Sequence, residues 1–162
     1  MPKISAGLLM YRICNRELEV LLVHPGGPFW RRKDEGAWSI PKGEIELNED
    51  HLLAAQREFA EETGITPQGT FTPLGSVALK SGKIVHAWAF EGDCNPTTIK
   101  SNLITIEWPP KSGKMQQIPE VDQAAFLSLA LSRTKINPAQ IPFLDRLSKI
   151  CRLTNDGCII AS

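Results

Sequence analysis

Paired cysteines are what this chain most plainly lacks. Cys14, Cys94, Cys151 and Cys158 are scattered, no CxxC occurs, and no Cys/His group has zinc spacing. That excludes a disulfide framework and a zinc ribbon, and the thiols read as reduced, in a cytoplasmic protein. Long apolar runs are missing as well. The start, "MPKISAGLLMYR", meets charge too soon for a signal peptide, and no stretch reaches transmembrane length. There is no net charge either: 18 basic side chains balance 18 acidic ones, and the pI is about 6.8. With no basic stripe and interleaved aromatics, nucleic acid is not expected as the main partner. Internal repeats and low-complexity linkers are absent. What is left is an ordinary globular composition, 42% hydrophobic and 22% charged, over 162 residues. It predicts a single domain over residues 1–153, with 154–162 as a tail or a packed strand.

The zero balance hides an asymmetry. "GEIELNEDHLLAAQREFAEETGI", Gly43 to Ile65, holds seven Asp or Glu and one Arg, while the rest of the chain has 17 basic and 11 acidic residues. An acidic focus in a mildly basic protein suits a polyanionic substrate delivered with divalent cations. The plainer alternative is a solvated helix face.

Patterning around this stretch alternates strands and helices. "KISAGLLMYR" and "ELEVLLVHP" read as strands joined by a turn at "ICNR". A Gly-, Pro- and charge-rich loop, "GGPFWRRKDEG", precedes a short strand "AWSI" that Pro41 ends. A helix follows, with Asn48 as N-cap, Glu49 and Asp50 at its positive end and Gly64 as the C′ residue. "FTPLGSVAL" and "KIVHAWAFEG" pair around "KSGK", "NLITIEW" gives one more strand, and "AAFLSL" is the last. "LALSRT" and "AQIPFLDRLSKICRL" are helical. Helices within and after a set of strands predict an α/β fold with a mixed sheet flanked by helices.

The helix decides between the two readings of the acid-rich stretch. At about 100° per residue, Glu58, Glu61 and Glu62 share an arc about 100° wide, while Leu52, Ala55 and Phe59 share another. Like charges at i, i+3 and i+4 repel, and Arg57 offsets only part of that. Three carboxylates converging on one point are better explained by a hard cation with oxygen ligands, such as Mg²⁺ or Mn²⁺, with a repulsive but exposed helix face as the alternative.

Gly43, Glu49 and then Arg57-Glu58-Phe59-Ala60-Glu61-Glu62-Thr63-Gly64-Ile65, at these spacings, resemble the Nudix box, GX5EX7REUXEEXGU. Every fixed position matches; Phe59 stands where an aliphatic residue is usual. The resemblance implies an α/β/α sandwich with a mixed sheet whose loop–helix–loop binds Mg²⁺, with Mn²⁺ as a substitute. It implies hydrolysis of a nucleoside diphosphate linked to another moiety. It implies a metal set of Gly43, Glu49, Glu58, Glu61 and Glu62, in which Gly43 offers its carbonyl and Glu49 supports the site. Arg57 is then the orienting arginine. Glu61, Glu62 and Glu120, which lies just before the last strand, are the candidates for the base.

The run "WSIPKGEIELNED", Trp38 to Asp50, is similar to that of bis(5′-nucleosyl)-tetraphosphatases. A dinucleoside polyphosphate resembling diadenosine tetraphosphate is therefore the expected substrate. Sanitising of oxidised nucleoside triphosphates and a non-catalytic nucleotide-binding module are the alternatives. A capped RNA end is the one nucleic-acid partner that this chemistry admits. Lys42 and the cluster Arg31, Arg32 and Lys33 are candidates for phosphate contact. Among the tryptophans, Trp30 is the candidate to stack on a base and Trp88 reads as core. His24 and His86 read as structural.

Overall fold

A computed structural model describes residues 3–155. Two long apolar runs form its centre. β1 (Ile4–Cys14) and β2 (Glu17–Pro25) pair antiparallel, joined at Asn15 and Arg16, both with positive φ. Both faces of these strands are buried, which is why they read as near-continuous hydrophobic runs. The remaining strands are β3 (Lys42–Glu44), β4 (Thr72–Ala78), β5 (Ile84–Glu91), β6 (Leu103–Glu107), β7 (Met115–Pro119) and β8 (Val121–Ser128). The main sheet runs β4-β5-β1-β2-β8, with β3 beside β1. Among the described strands of this sheet only β1 and β5 pair in parallel, so the sheet is mixed. β6 and β7 form a separate two-stranded ribbon.

Alternation along β1 assigns the two layers. Ala6, Leu8 and Met10 pack with Leu21, Phe90 and Phe59 under α1 (His51–Thr63). Leu9, with Val20 and Leu22, packs on the opposite face under α3 (Ile141–Asn155), against Phe143, Leu144 and Leu147. The short α2 (Leu129–Lys135) follows β8. The result is the α/β/α sandwich. Arg146 of α3 donates to the carbonyls of Leu74 and Ser76 on β4, at 2.9 and 3.0 Å, and so covers backbone acceptors on an edge strand.

Several local expectations change. The N-cap of α1 is Asp50, not Asn48: Asp50 is extended and its carboxylate accepts from Leu53 N at 3.1 Å. Asn48 has a φ of +61°, outside the extended region that an N-cap occupies. Leu53, apolar by type, is 60% exposed. "AWSI" makes only isolated bridges, Val23 to Ser39 and Trp38 to Ile136, and the strand in this region is β3, beyond Pro41. β7 went unread because its run, "MQQIP", has no apolar alternation. α3 runs to Asn155, beyond the boundary expected at 153. The rest of the expected tail, 156–162, lies outside the described residues.

Candidate active site

The site is built where β3 meets α1. Gly64, with a φ of +76°, ends α1 and donates its N–H to Ala60 O, as its position in the sequence predicts. Nearly two turns earlier, Glu58 turns inward over Gly43. A Cβ on Gly43 would lie 2.1 Å from both Cδ and Oε2 of Glu58. Gly43 is therefore required for close approach of a carboxylate to the backbone, and not for a left-handed turn.

Arg57 organises the acidic residues around it. Its Nε and Nη2 donate to the two oxygens of Glu49, at 2.8 and 2.9 Å. Its Nη1 donates to Glu58 Oε1 at 2.9 Å and to Glu61 at 3.3 Å. The Arg57 hydrogen bonds hold the Glu49 carboxyl down at about 2, helped by the N–H of Glu46. They also hold the guanidinium above its ordinary range.

Glu58, Glu62 and Glu120 each offer a carboxylate oxygen, and the three atoms lie within 4.8 Å of one another. Two come from α1 and the third from the junction of β7 and β8, so the cluster is made by the fold. Glu58 and Glu62 are 7% and 4% exposed. Burial first, and then Glu61, push the Glu58 carboxyl up to about 7. Burial, and then Glu120, raise Glu62 well above the carboxylate range. Glu62 Oε1 also accepts the backbone N–H of Lys42 at 3.3 Å. The Lys42 side chain is pulled below the ordinary lysine range by burial, against the opposing pull of Glu62.

Three carboxylate oxygens within 4.8 Å of one another, two of them on buried side chains, match the donor set of a hard divalent cation. The residues present therefore fit such an ion, with Glu58, Glu62 and Glu120 to hold it. Of the other predicted residues, Glu61 stays on the exposed flank against Arg57, and Glu49 supports Arg57 without entering the cluster.

A cleft of about 260 Å³ adjoins the cluster. Lys42, Glu62 and Glu120 stand in its wall with Trp30, among the apolar Val23, Ile40 and Val121. Arg31, Arg32 and Lys33 lie exposed on the loop beside Trp30 and do not line it. Lys33 Nζ sits 3.6 Å from the centre of the Phe29 ring. Trp38 is core, 5% exposed, and donates from Nε1 to Asp34 at 2.8 Å. Trp88 packs partly buried on the α1 side.

The family model described as the NUDIX domain matches residues 3–147. The chain belongs to the Nudix family. An RNA pyrophosphohydrolase of Caulobacter vibrioides is 42% identical over 52 residues, 29% of this chain and 30% of that protein. An RNA pyrophosphohydrolase of Roseobacter denitrificans is 39% identical over 64 residues, 37% of this chain and 38% of that protein. The match thus spans about a third of these curated relatives. Among solved structures, an Ap4A hydrolase binary complex from C. elegans superposes with a TM-score of 0.64 at 22% identity, covering 91% of this chain and 98% of that one. The NUDIX domain of Shewanella oneidensis NrtR, complexed with ADP ribose, gives 0.63 at 17%, covering 95% and 90%.

Some residues of this Nudix site lie outside the box and carried no signal. Ser39, Asn137 and Gln140 line the cleft. The Asn137-Pro138 pair marks a turn in sequence but says nothing of where the turn points. His24, 6% exposed, joins Asp122 Oδ1 at 2.8 Å and the carbonyl of Lys33 at 2.6 Å, and so ties the basic loop to the start of β8.

Proposed function

We propose that this Nudix protein is a Mg²⁺-dependent pyrophosphohydrolase, with a dinucleoside polyphosphate as the best-supported substrate and Mn²⁺ as a substitute ion. The observation that carries the proposal is the convergence of Glu58, Glu62 and Glu120 beside Lys42 at one cleft. A polyphosphate is anionic and repels a nucleophile, and it would be repelled by these carboxylates too. A divalent cation in the cluster supplies positive charge at the phosphoryl oxygens and makes water more acidic.

The chain's own groups do the rest. Lys42 carries positive charge beside the cluster, towards a phosphoryl oxygen. Arg57 fixes Glu58 through its Nη1 and is itself fixed by Glu49. Water attacks phosphorus and the P–O–P bond breaks. The water oxygen stays on the phosphoryl product, and its proton passes to a carboxylate. Glu120 is assigned that role as the least buried of the three. Arg31 and Arg32, on the loop beside Trp30, suit charge that runs beyond the cleft, as a long polyphosphate provides.

A second reading is hydrolysis at a capped RNA end. What favours it is that the curated relatives named above are RNA pyrophosphohydrolases.

The test is a product assay with Mg²⁺ across dinucleoside tetraphosphates, nucleoside triphosphates, ADP-ribose and a capped RNA. A nucleoside triphosphate plus a monophosphate, released fastest from the dinucleoside tetraphosphate, supports the first reading. Fastest cleavage of the RNA end supports the second. Silence from a folded, metal-binding protein favours a non-catalytic binding module.

A further inference from the structure

Both ring nitrogens of His24 face atoms that only accept. Nδ1 lies 2.8 Å from Asp122 Oδ1 on β8, and Nε2 lies 2.6 Å from the carbonyl oxygen of Lys33. A neutral imidazole carries one N–H, so it donates to one of these partners and turns a lone pair on the other. The imidazolium donates to both. Its charge, on a ring 6% exposed, is matched by the Asp122 carboxylate. Asp34 is a second carboxylate close enough to feel that charge. It is engaged elsewhere, accepting from Trp38 Nε1 at 2.8 Å and pairing with Lys135 at the end of α2. The Trp38 ring stands edge-on to His24, 5.4 Å away, and the Lys33 ammonium turns aside over the Phe29 ring. From Lys33 the connection reaches the cleft in one further step. Lys33 N donates to Trp30 O at 2.9 Å, and Trp30 N donates to Gly27 O at 3.3 Å. Trp30 stands in the cleft wall, with Arg31 and Arg32 next to it in the chain.

We infer that His24, doubly protonated, is a positioning residue that straps residues 30–33 in place beside the cleft, and that loss of one proton releases them and weakens the hold on a polyphosphate. Bond strength sets which tie breaks. On deprotonation the remaining N–H stays with the carboxylate, because a hydrogen bond to an ionised partner is stronger than one to a neutral carbonyl. Nε2 then turns a lone pair on the Lys33 carbonyl, and two acceptors that close repel. Lys33 moves off and takes Trp30 with it. The bonds of Asp34 at one end, and of Gly26 N to Glu120 O at 3.0 Å at the other, confine the movement to the residues between them. Imidazole is the side chain that changes charge between about pH 5 and about pH 8, so the release falls near neutral pH. The strap stands on the geometry of His24 alone. Its effect on a polyphosphate rests on the pyrophosphohydrolase reading.

The experiment follows the full chain by nitrogen NMR from about pH 5 to about pH 9, beside kinetics over the same range. At the acidic end both nitrogens of His24 should be protonated. As pH rises, the Lys33 amide and Trp30 indole signals should shift along the His24 curve. Asp122→Asn places an amide NH₂ opposite Nδ1, so a neutral imidazole protonated at Nε2 satisfies both partners. In that variant the Lys33 and Trp30 signals should no longer follow pH. The kinetic substrate is a dinucleoside tetraphosphate at saturating Mg²⁺, which has no terminal phosphate to titrate. Its KM in wild type should rise at least about fivefold across the His24 curve, the worth of about one hydrogen bond, with no matching change in kcat. In Asp122→Asn the KM should stay level, whereas a merely structural His24 would leave KM level in wild type too. A singly protonated His24 at the acidic end overturns the inference. So does a Lys33 signal that ignores the His24 curve, or a folded Asp122→Asn that responds to pH as wild type does. If the variant does not fold, the wild-type curves decide. A level KM in an active wild type overturns the link to the substrate. Loop signals that follow His24 in a protein that turns over no nucleotide keep the strap and sink the hydrolase reading instead.

Discussion

Arg57 grips Glu49 with two parallel hydrogen bonds, at 2.8 and 2.9 Å, and holds Glu58 with its remaining nitrogen at 2.9 Å. One planar guanidinium thus links the loop before α1 to a carboxylate of the cluster. Lysine keeps the charge but has no fork with which to span both partners. Arg57→Lys should lower kcat/KM by about 10–100-fold, the cost of losing a group that orients a ligand. Its melting temperature should stay close to that of wild type. Parallel kinetics and thermal melts check this, and unchanged turnover would remove Arg57 from the site.

The contact between Gly43 and Glu58 makes a sharper prediction. Ala at position 43 would place Cβ inside the Glu58 carboxylate, at 2.1 Å. Glu58 must then swing away or β3 must move. Gly43→Ala should weaken Mn²⁺ binding by at least about tenfold. Its stability should fall by about 1–3 kcal/mol, the usual cost of overpacking. Titration of the ion and a denaturant melt measure the two effects separately.

Removing one carboxylate should have opposite effects on stability and activity. Glu62→Gln relieves repulsion from Glu120 and Glu58 and keeps an oxygen for the N–H of Lys42. Without divalent ions the variant should melt above wild type. With Mg²⁺ it should turn over more slowly, by on the order of 10²-fold or more. A lower melting point in the absence of ions would mean that the carboxylates are not in conflict.

Stability should also depend on pH in a way that Mg²⁺ reverses. Glu58 titrates near 7 when folded, against an ordinary value of 4.5. Between these values the folded state binds more protons than the unfolded one, so stability falls as pH rises. Glu49, held near 2, has the opposite sign, but its contribution is complete above 4.5 and cannot cancel the trend. Ion-free protein should therefore lose several degrees of melting temperature from about pH 4.5 to about pH 7. Saturating Mg²⁺, which favours the ionised carboxylates, should flatten or reverse the decline. Melting curves across that range, with chelator and with Mg²⁺, give the answer.

Periodicity and turn chemistry are local, and they made most of the elements legible in the sequence, from the apolar runs of β1 and β2 to Gly64 ending α1. The arc shared by Glu58 and Glu62 was legible for the same reason. Long-range placement was not. Helical geometry groups Glu61 with its neighbours and sets Arg57 four residues before it, but only the tertiary structure shows that Glu61 stays on the exposed flank. Glu120 was named only through the family resemblance, and it enters the cluster because β8 pairs with β2. Gln140 reads in sequence as an ordinary residue at the start of the last helix, and its burial at the cleft follows from the turn that precedes α3 and from where that helix docks. Asn48 misled because its type suits a cap, whereas its backbone takes a left-handed turn that delays the helix to His51.

The most direct test of the central claim is turnover of a dinucleoside tetraphosphate as a function of Mg²⁺, run beside Mn²⁺ binding, in wild type and in Glu58→Gln, Glu62→Gln and Glu120→Gln. The account predicts that wild-type turnover requires the ion. It predicts that each substitution weakens Mn²⁺ binding and lowers turnover together. Turnover that persists in chelator, or ion binding untouched by all three substitutions, would contradict it.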